Sequence, residues 1–202
     1  MKKFITLALA LCMALSASIC ASAAEVNTDG GSGSTPVYLS STEDGTLEGE
    51  PSATDMSVTV PTALPMAMSQ TGDVTTADNC QIINNSYGAV RVKSVNITTA
   101  NGWRLTSFGD KSTLASEKVD SNKLGFALSI GGGTQVMTDT SDESSQYLIS
   151  SPIAGCYMSG IGNASGNAVS VDYEAIVTPL SSAVTNANIA NVVFVIEWDT
   201  AA

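Results

Sequence analysis

Leu124-Gly125-Phe126-Ala127-Leu128-Ser129-Ile130 sets large apolar side chains against small ones at every second position, then halts at Gly131-Gly132-Gly133. Period two is the signature of a strand with one face turned to a core, so Leu124, Phe126 and Leu128 are expected inside. The same alternation recurs on both sides of this stretch. Val169, Val171, Tyr173, Ala175 and Val177 form one row, with Ser170, Asp172 and Glu174 facing water. Met56, Val58 and Val60 alternate with Ser57 and Thr59 until Pro61, and Phe194, Ile196 and Trp198 form a row near the end of the chain. Val90 and Val92 share one phase while Val95 and Ile97 share the other, which predicts a bulge near Lys93-Ser94. Cys80-Gln81-Ile82-Ile83 and Trp103-Arg104-Leu105 supply two shorter candidates. No window sustains a 3.6 period, and Ala183 to Ala190 has room for one or two helical turns at most. Strands with one wet and one dry face pair into two packed sheets. Residues 56–202 are therefore expected to fold as an all-β, antiparallel β-sandwich of about seven to nine strands with Greek-key connections.

Upstream of this domain, residues 24–55 are rich in Gly, Ser, Thr and Glu and read as a flexible segment. Pro36-Val37-Tyr38-Leu39 interrupts it as a short β-prone run that would suit an edge strand. Residues 1–23 read as an export signal: Lys2 and Lys3, an apolar run from Phe4 to Ala17, then Ala21-Ser22-Ala23 with small residues at the positions a signal peptidase requires. The apolar run is too short to span a bilayer, so no transmembrane anchor is expected. Cys12 and Cys20 follow large apolar residues and do not suit lipidation, and Trp198-Asp199-Thr200-Ala201-Ala202 carries no sorting motif. The expected product is a secreted, extracellular protein with its mature start near Ala24.

Composition narrows the function further. The 202 residues carry a formal charge of −11, and losing Lys2 and Lys3 with the leader would make it −13. Such a chain repels phosphate backbones and anionic bilayers, which excludes nucleic acid and charged membranes as partners. Histidine is absent, which removes Ser-His-Asp triads, Cys-His dyads and His-ligated zinc. Asp139, Asp142 and Glu143, and separately Glu43, Asp44, Glu48 and Glu50, lack the spacing of a calcium loop. No cofactor, metal or catalytic set is expected. Gly131-Gly132-Gly133 has no following Lys-Ser/Thr and reads as a strand connection rather than a phosphate loop. Asn84, Asn96 and Asn163 each open an Asn-x-Ser/Thr sequon of the kind that chance supplies in such a composition. The two cysteines left after export, Cys80 and Cys156, are candidates for a disulfide or for two separate thiols, one buried in a strand and one in a loop, and spacing does not choose between them.

Three segments together resemble the WxL-type surface domains of Gram-positive bacteria: Val58-Thr59-Val60-Pro61-Thr62-Ala63-Leu64-Pro65, Gly102-Trp103-Arg104-Leu105, and Phe194-Val195-Ile196-Glu197-Trp198. The specific matches cover about twenty residues. The second Trp-x-Leu of that family is broken here, because Asp199 and Thr200 follow Trp198. The resemblance implies a cell-wall-associated β-sandwich bound non-covalently to peptidoglycan or other surface components, with Trp103, Leu105 and Trp198 at the motif positions, of which Leu105 and Trp198 are expected to be core residues. Trp103 follows an Asn101-Gly102 turn, where its ring has room to reach solvent, so wall attachment is expected to depend on it. The alternative is a subunit of an extracellular matrix or fibre, similar to biofilm-fibre and camelysin-like proteins, assembling with itself or other surface proteins by donating Val37-Tyr38-Leu39 as a strand.

Overall fold

The computed structural model describes residues 23–39, 55–69, 71–109, 111–163 and 165–200. In chain order its strands are β1 (Ala23–Glu25), β2 (Ser32–Leu39), β3 (Val58–Pro61), β4 (Met66–Met68), β5 (Val74–Thr76), β6 (Gln81–Asn84), β7 (Val90–Thr99) and β8 (Arg104–Leu105). A short helix α1 (Lys111–Ala115) follows, and then β9 (Lys123–Ile130), β10 (Val136–Met137), β11 (Ser145–Ile149), β12 (Tyr157–Met158), β13 (Ala168–Val177) and β14 (Ala187–Trp198). A seven-stranded sheet runs β1-β3-β6-β13-β9-β10 with β8 beside β9, and a five-stranded sheet runs β11-β7-β14-β2 with β12 beside β7. β4 and β5 make a separate hairpin. Among the described residues only β8 and β9 pair in parallel. The chain is the all-β sandwich expected, and neighbours within each sheet are often far apart in sequence. Its fourteen described strands exceed the expected seven to nine because many are only two to four residues long.

The inward rows are those the alternation marks. Leu124, Phe126, Leu128 and Ile130 of β9 lie against Val171, Tyr173, Ala175 and Val177 of β13, all buried. The Phe126 and Tyr173 rings stack with centroids 6.0 Å apart. From the other sheet Val92, Val95, Ile97, Val192, Phe194 and Ile196 close the core. The phase change in β7 is a bulge: Val92 faces Ile196 and Ser94 faces Val195, leaving Lys93 as the extra residue. That slip lets both Val90 with Val92 and Val95 with Ile97 point inward.

Three features depart from the sequence reading. Within the stretch 24–55, read as flexible, residues up to 39 are ordered: β1 pairs with β3, and the edge strand suggested at 36–39 begins already at Ser32 and pairs with β14 along its whole length. Small residues make this possible: Gly33 and Thr35 are buried, and a β-carbon on Gly33 would lie 2.7 Å from Cγ2 of Val60 in the opposite sheet. The Thr35 hydroxyl donates to the Pro61 carbonyl and ties the two sheets together. Helix α1 forms where no helix was expected, and Ala187–Ala190, the tail of the segment with room for a helical turn, opens β14 instead. The third departure concerns the cysteines. Cys80 is disulfide-bonded but Cys156 is a free, buried thiol, so the two do not bridge each other. The Cys80 carbonyl accepts from Val171 in the seven-stranded sheet (2.8 Å), and that of Cys156 accepts from Val92 in the five-stranded sheet (2.9 Å). Packed sheets stand about 10 Å apart, whereas a disulfide needs α-carbons within about 7 Å.

Candidate functional site

The motif residues do not converge on a surface. Trp103 is only 8% exposed and belongs to the hydrophobic core, and Leu105 is fully buried. Asn101 (φ 51°) and Gly102 (φ 83°) form a tight turn closed by the Trp103 amide donating to the Ala100 carbonyl (3.0 Å). This turn carries the chain from β7 in one sheet to β8 alongside β9 in the other, which draws Trp103 inward rather than out to solvent. Trp103 is therefore a core residue and not the exposed one expected: the Asn-Gly turn forms, but it joins two packed sheets. Trp198 is half-buried at the end of β14 and packs over Gly88, where a β-carbon would sit 2.8 Å from Cζ3 of the indole. Tyr87, next to that glycine, is exposed.

The outer face of the five-stranded sheet is accessible to solvent. Registers place Tyr147, Asn96, Val193 and Ser34 in one cross-strand row, Ser145, Thr98 and Asn191 in the next, and Ser94, Val195 and Ser32 on the other side. None of these residues is charged. The Asn96 side-chain amide donates to the Thr98 and Ser145 hydroxyls, both at 3.2 Å, and the two hydroxyls lie 3.1 Å apart. Tyr147, at 65% exposure, is the most accessible large apolar side chain among the described residues. Charge begins only one row beyond, where Glu197 pairs with Arg91 (2.8 Å) and Lys93 (2.9 Å). Hydrogen bonds from Lys93 and Arg91 hold the Glu197 carboxyl below its usual range.

A cavity of about 610 Å³ lies between the β4–β5 hairpin, α1 and the segment after β13. Met68, Val177 and Leu180 line it with Lys111 and Ser181 at its border. Lys111 is engaged by the Asp73 carboxylate and the Thr71 carbonyl, and this pairing lowers the Asp73 pKa. The hairpin itself is anchored by the buried Tyr173 hydroxyl, which donates to the Pro65 carbonyl (2.6 Å) and accepts from the Ala77 amide (3.1 Å).

Elsewhere the titratable groups are dispersed. Burial raises the Cys156 pKa, which keeps the thiol protonated and unreactive at neutral pH. Glu143 bridges to Leu105 through the backbone, and Asp142 lies 3.9 Å from Lys123. Among the described residues no three Cys, Asp or Glu side chains converge as a metal site. Glu43, Asp44, Glu48 and Glu50 lie outside the described residues. Of the sequons, Asn84 is buried, with its amide donating to the Gly88 and Ser159 carbonyls, both at 2.8 Å. Among the described residues no helix is long and apolar enough to cross a membrane. The chain matches no protein-family model, no curated protein and no solved structure.

Proposed function

We propose that this chain is a secreted, non-catalytic module of a bacterial cell surface, held without covalent linkage by peptidoglycan or another surface component. The observation that carries the reading is the open, uncharged outer face of the five-stranded sheet, lined by hydroxyls and amides on a chain whose net charge is −11. A ligand held there engages hydrogen-bonding and apolar groups rather than charge, and the acidic remainder of the chain opposes anionic wall polymers. Trp103 and Leu105 support this role only as core residues, so the resemblance in their motif speaks for the fold and not for a contact.

The rival reading is an assembling fibre subunit. It requires Val37-Tyr38-Leu39 to be offered to a neighbouring molecule, whereas these residues pair with Tyr38 facing Asn188 and Leu39 facing Ala187 in the same chain. That self-pairing favours the surface module. The test is sedimentation of the chain, secreted with its own leader, with purified cell walls, set against its elution on size-exclusion chromatography. Wall binding that holds or strengthens as salt is raised supports the proposal, since screening removes the repulsion. Absence from the wall pellet together with elution as a large oligomer transfers the reading to the fibre subunit.

A further inference from the structure

We infer that the outer face of the five-stranded sheet is a binding platform for an uncharged polysaccharide chain, with Tyr147 as its anchor. This rests on the surface-module reading and names the ligand class and the residues of that site. Three properties of the face select the ligand. No charged residue occupies the three rows from Ser145 to Ser32, although the chain has 19 Asp and Glu against 8 Lys and Arg. Polyanions and polycations both gain most from salt links, and this face offers none. Its polar groups are hydroxyls and amides (Asn96, Thr98, Ser145, Asn191), which both donate and accept and so match a polymer of hydroxyls.

Apolar surface is placed to suit the same ligand. Val193 stands half-exposed in the central strand, and Tyr147 stands two strands away in the same row. A sugar ring presents C–H faces and hydroxyl edges together, so apolar contacts at Tyr147 and at Val193 with the Asn96 amide between them are complementary to it. A rigid aromatic with a polar tip at the border is the usual anchor of such a contact. A second copy of this chain is the poorer occupant, because two half-exposed valines per face leave a stacked pair without an apolar centre.

The probe is native affinity electrophoresis of the secreted chain through gels holding hydroxyethyl cellulose, glycol chitin or carboxymethyl cellulose. The expected result is retardation by one or both of the first two, which separates plain from N-acetylated sugars, and none by the anionic polymer. Tyr147→Ala should weaken retardation about tenfold, as loss of an anchor side chain does, and Tyr147→Trp should restore it. Tyr87→Ala, exposed but off the face, should migrate like the parent. Tyr147 is exposed, so its variants should keep the parental circular dichroism. Parental retardation of Tyr147→Ala, equal retardation by carboxymethyl cellulose, no retardation of the parent, or a parental dimer dissolved by Tyr147→Ala would each overturn the inference. Wall sedimentation that survives Tyr147→Ala removes this platform and leaves the surface module standing. Retardation without wall sedimentation does the reverse.

Discussion

Trp103 is packed within the shared core, so shortening it to alanine removes an indole that its neighbours enclose. Trp103→Ala should cost about 3–5 kcal/mol in a urea titration, as other large-to-small core changes do. A loss below about 1 kcal/mol would mean that the ring lies at the surface after all. Phe126→Ala should fall in the same range, because Phe126 is fully buried and stacked on Tyr173. Cys156 makes a different prediction at this scale. Its burial and raised pKa should leave it unlabelled by iodoacetamide in the folded chain and fully labelled in denaturant, read by mass spectrometry. Rapid labelling of the native thiol would place Cys156 at the surface and reopen a chemical role for it.

Among the elements, β14 and the β4–β5 hairpin depend most on a few polar contacts. β14 pairs with β2 on one side and β7 on the other, and its Glu197 holds two cations of β7. A carboxylate whose pKa is depressed on folding adds stability above its unfolded pKa and loses it as pH falls through the folded value. Glu197 is lowered from an ordinary value of 4.5, so its contribution is present at neutral pH and disappears on the acid side of that value. Glu197→Gln should therefore cost up to about 1 kcal/mol at pH 7, and its deficit should shrink between about pH 5 and about pH 3. A deficit that is flat with pH in paired urea titrations would remove the ion pair from the account. Tyr173→Phe should act on the hairpin instead. It leaves the Ala77 amide without the phenol oxygen and the Pro65 carbonyl without a donor, at a cost of about 1–3 kcal/mol. Amide exchange of Met66–Met68 and Val74–Thr76 should rise first, while the Lys123–Ile130 strand stays protected.

The whole molecule is built to limit edge pairing. The seven-stranded sheet ends in β1 and β10, of three and two residues, and β2, the long edge of the other sheet, carries Pro36, which has no amide donor. Short edges and an edge proline are the usual defences against strand addition. The chain should accordingly elute as a monomer in size-exclusion chromatography with light scattering, and stay so as concentration rises. Concentration-dependent oligomers that are abolished by deleting residues 32–39 would show β2 working between molecules.

Strand periodicity and the β7 bulge were legible in the sequence because a strand's side chains alternate faces whatever it packs on, so Leu124 to Ile130 and Val169 to Val177 announce their inward rows locally. The bulge at Lys93 is likewise written in a phase change between Val92 and Val95. The Ser32–Leu39 strand was only half legible, since Gly33 and Thr35 carry no apolar signal: Gly33 is demanded by the closeness of Val60 across the core and Thr35 by its bond to the Pro61 carbonyl. The fate of Trp103, the separation of Cys80 from Cys156 and the uncharged platform around Tyr147 were decided by the tertiary structure alone. Each depends on which sheet a segment joins, and strands β7, β11, β14 and β2, drawn from distant parts of the chain, share a face only because their backbones pair. Local side-chain pattern sets which way a residue points within its strand, but pairing between strands sets what lies beside it.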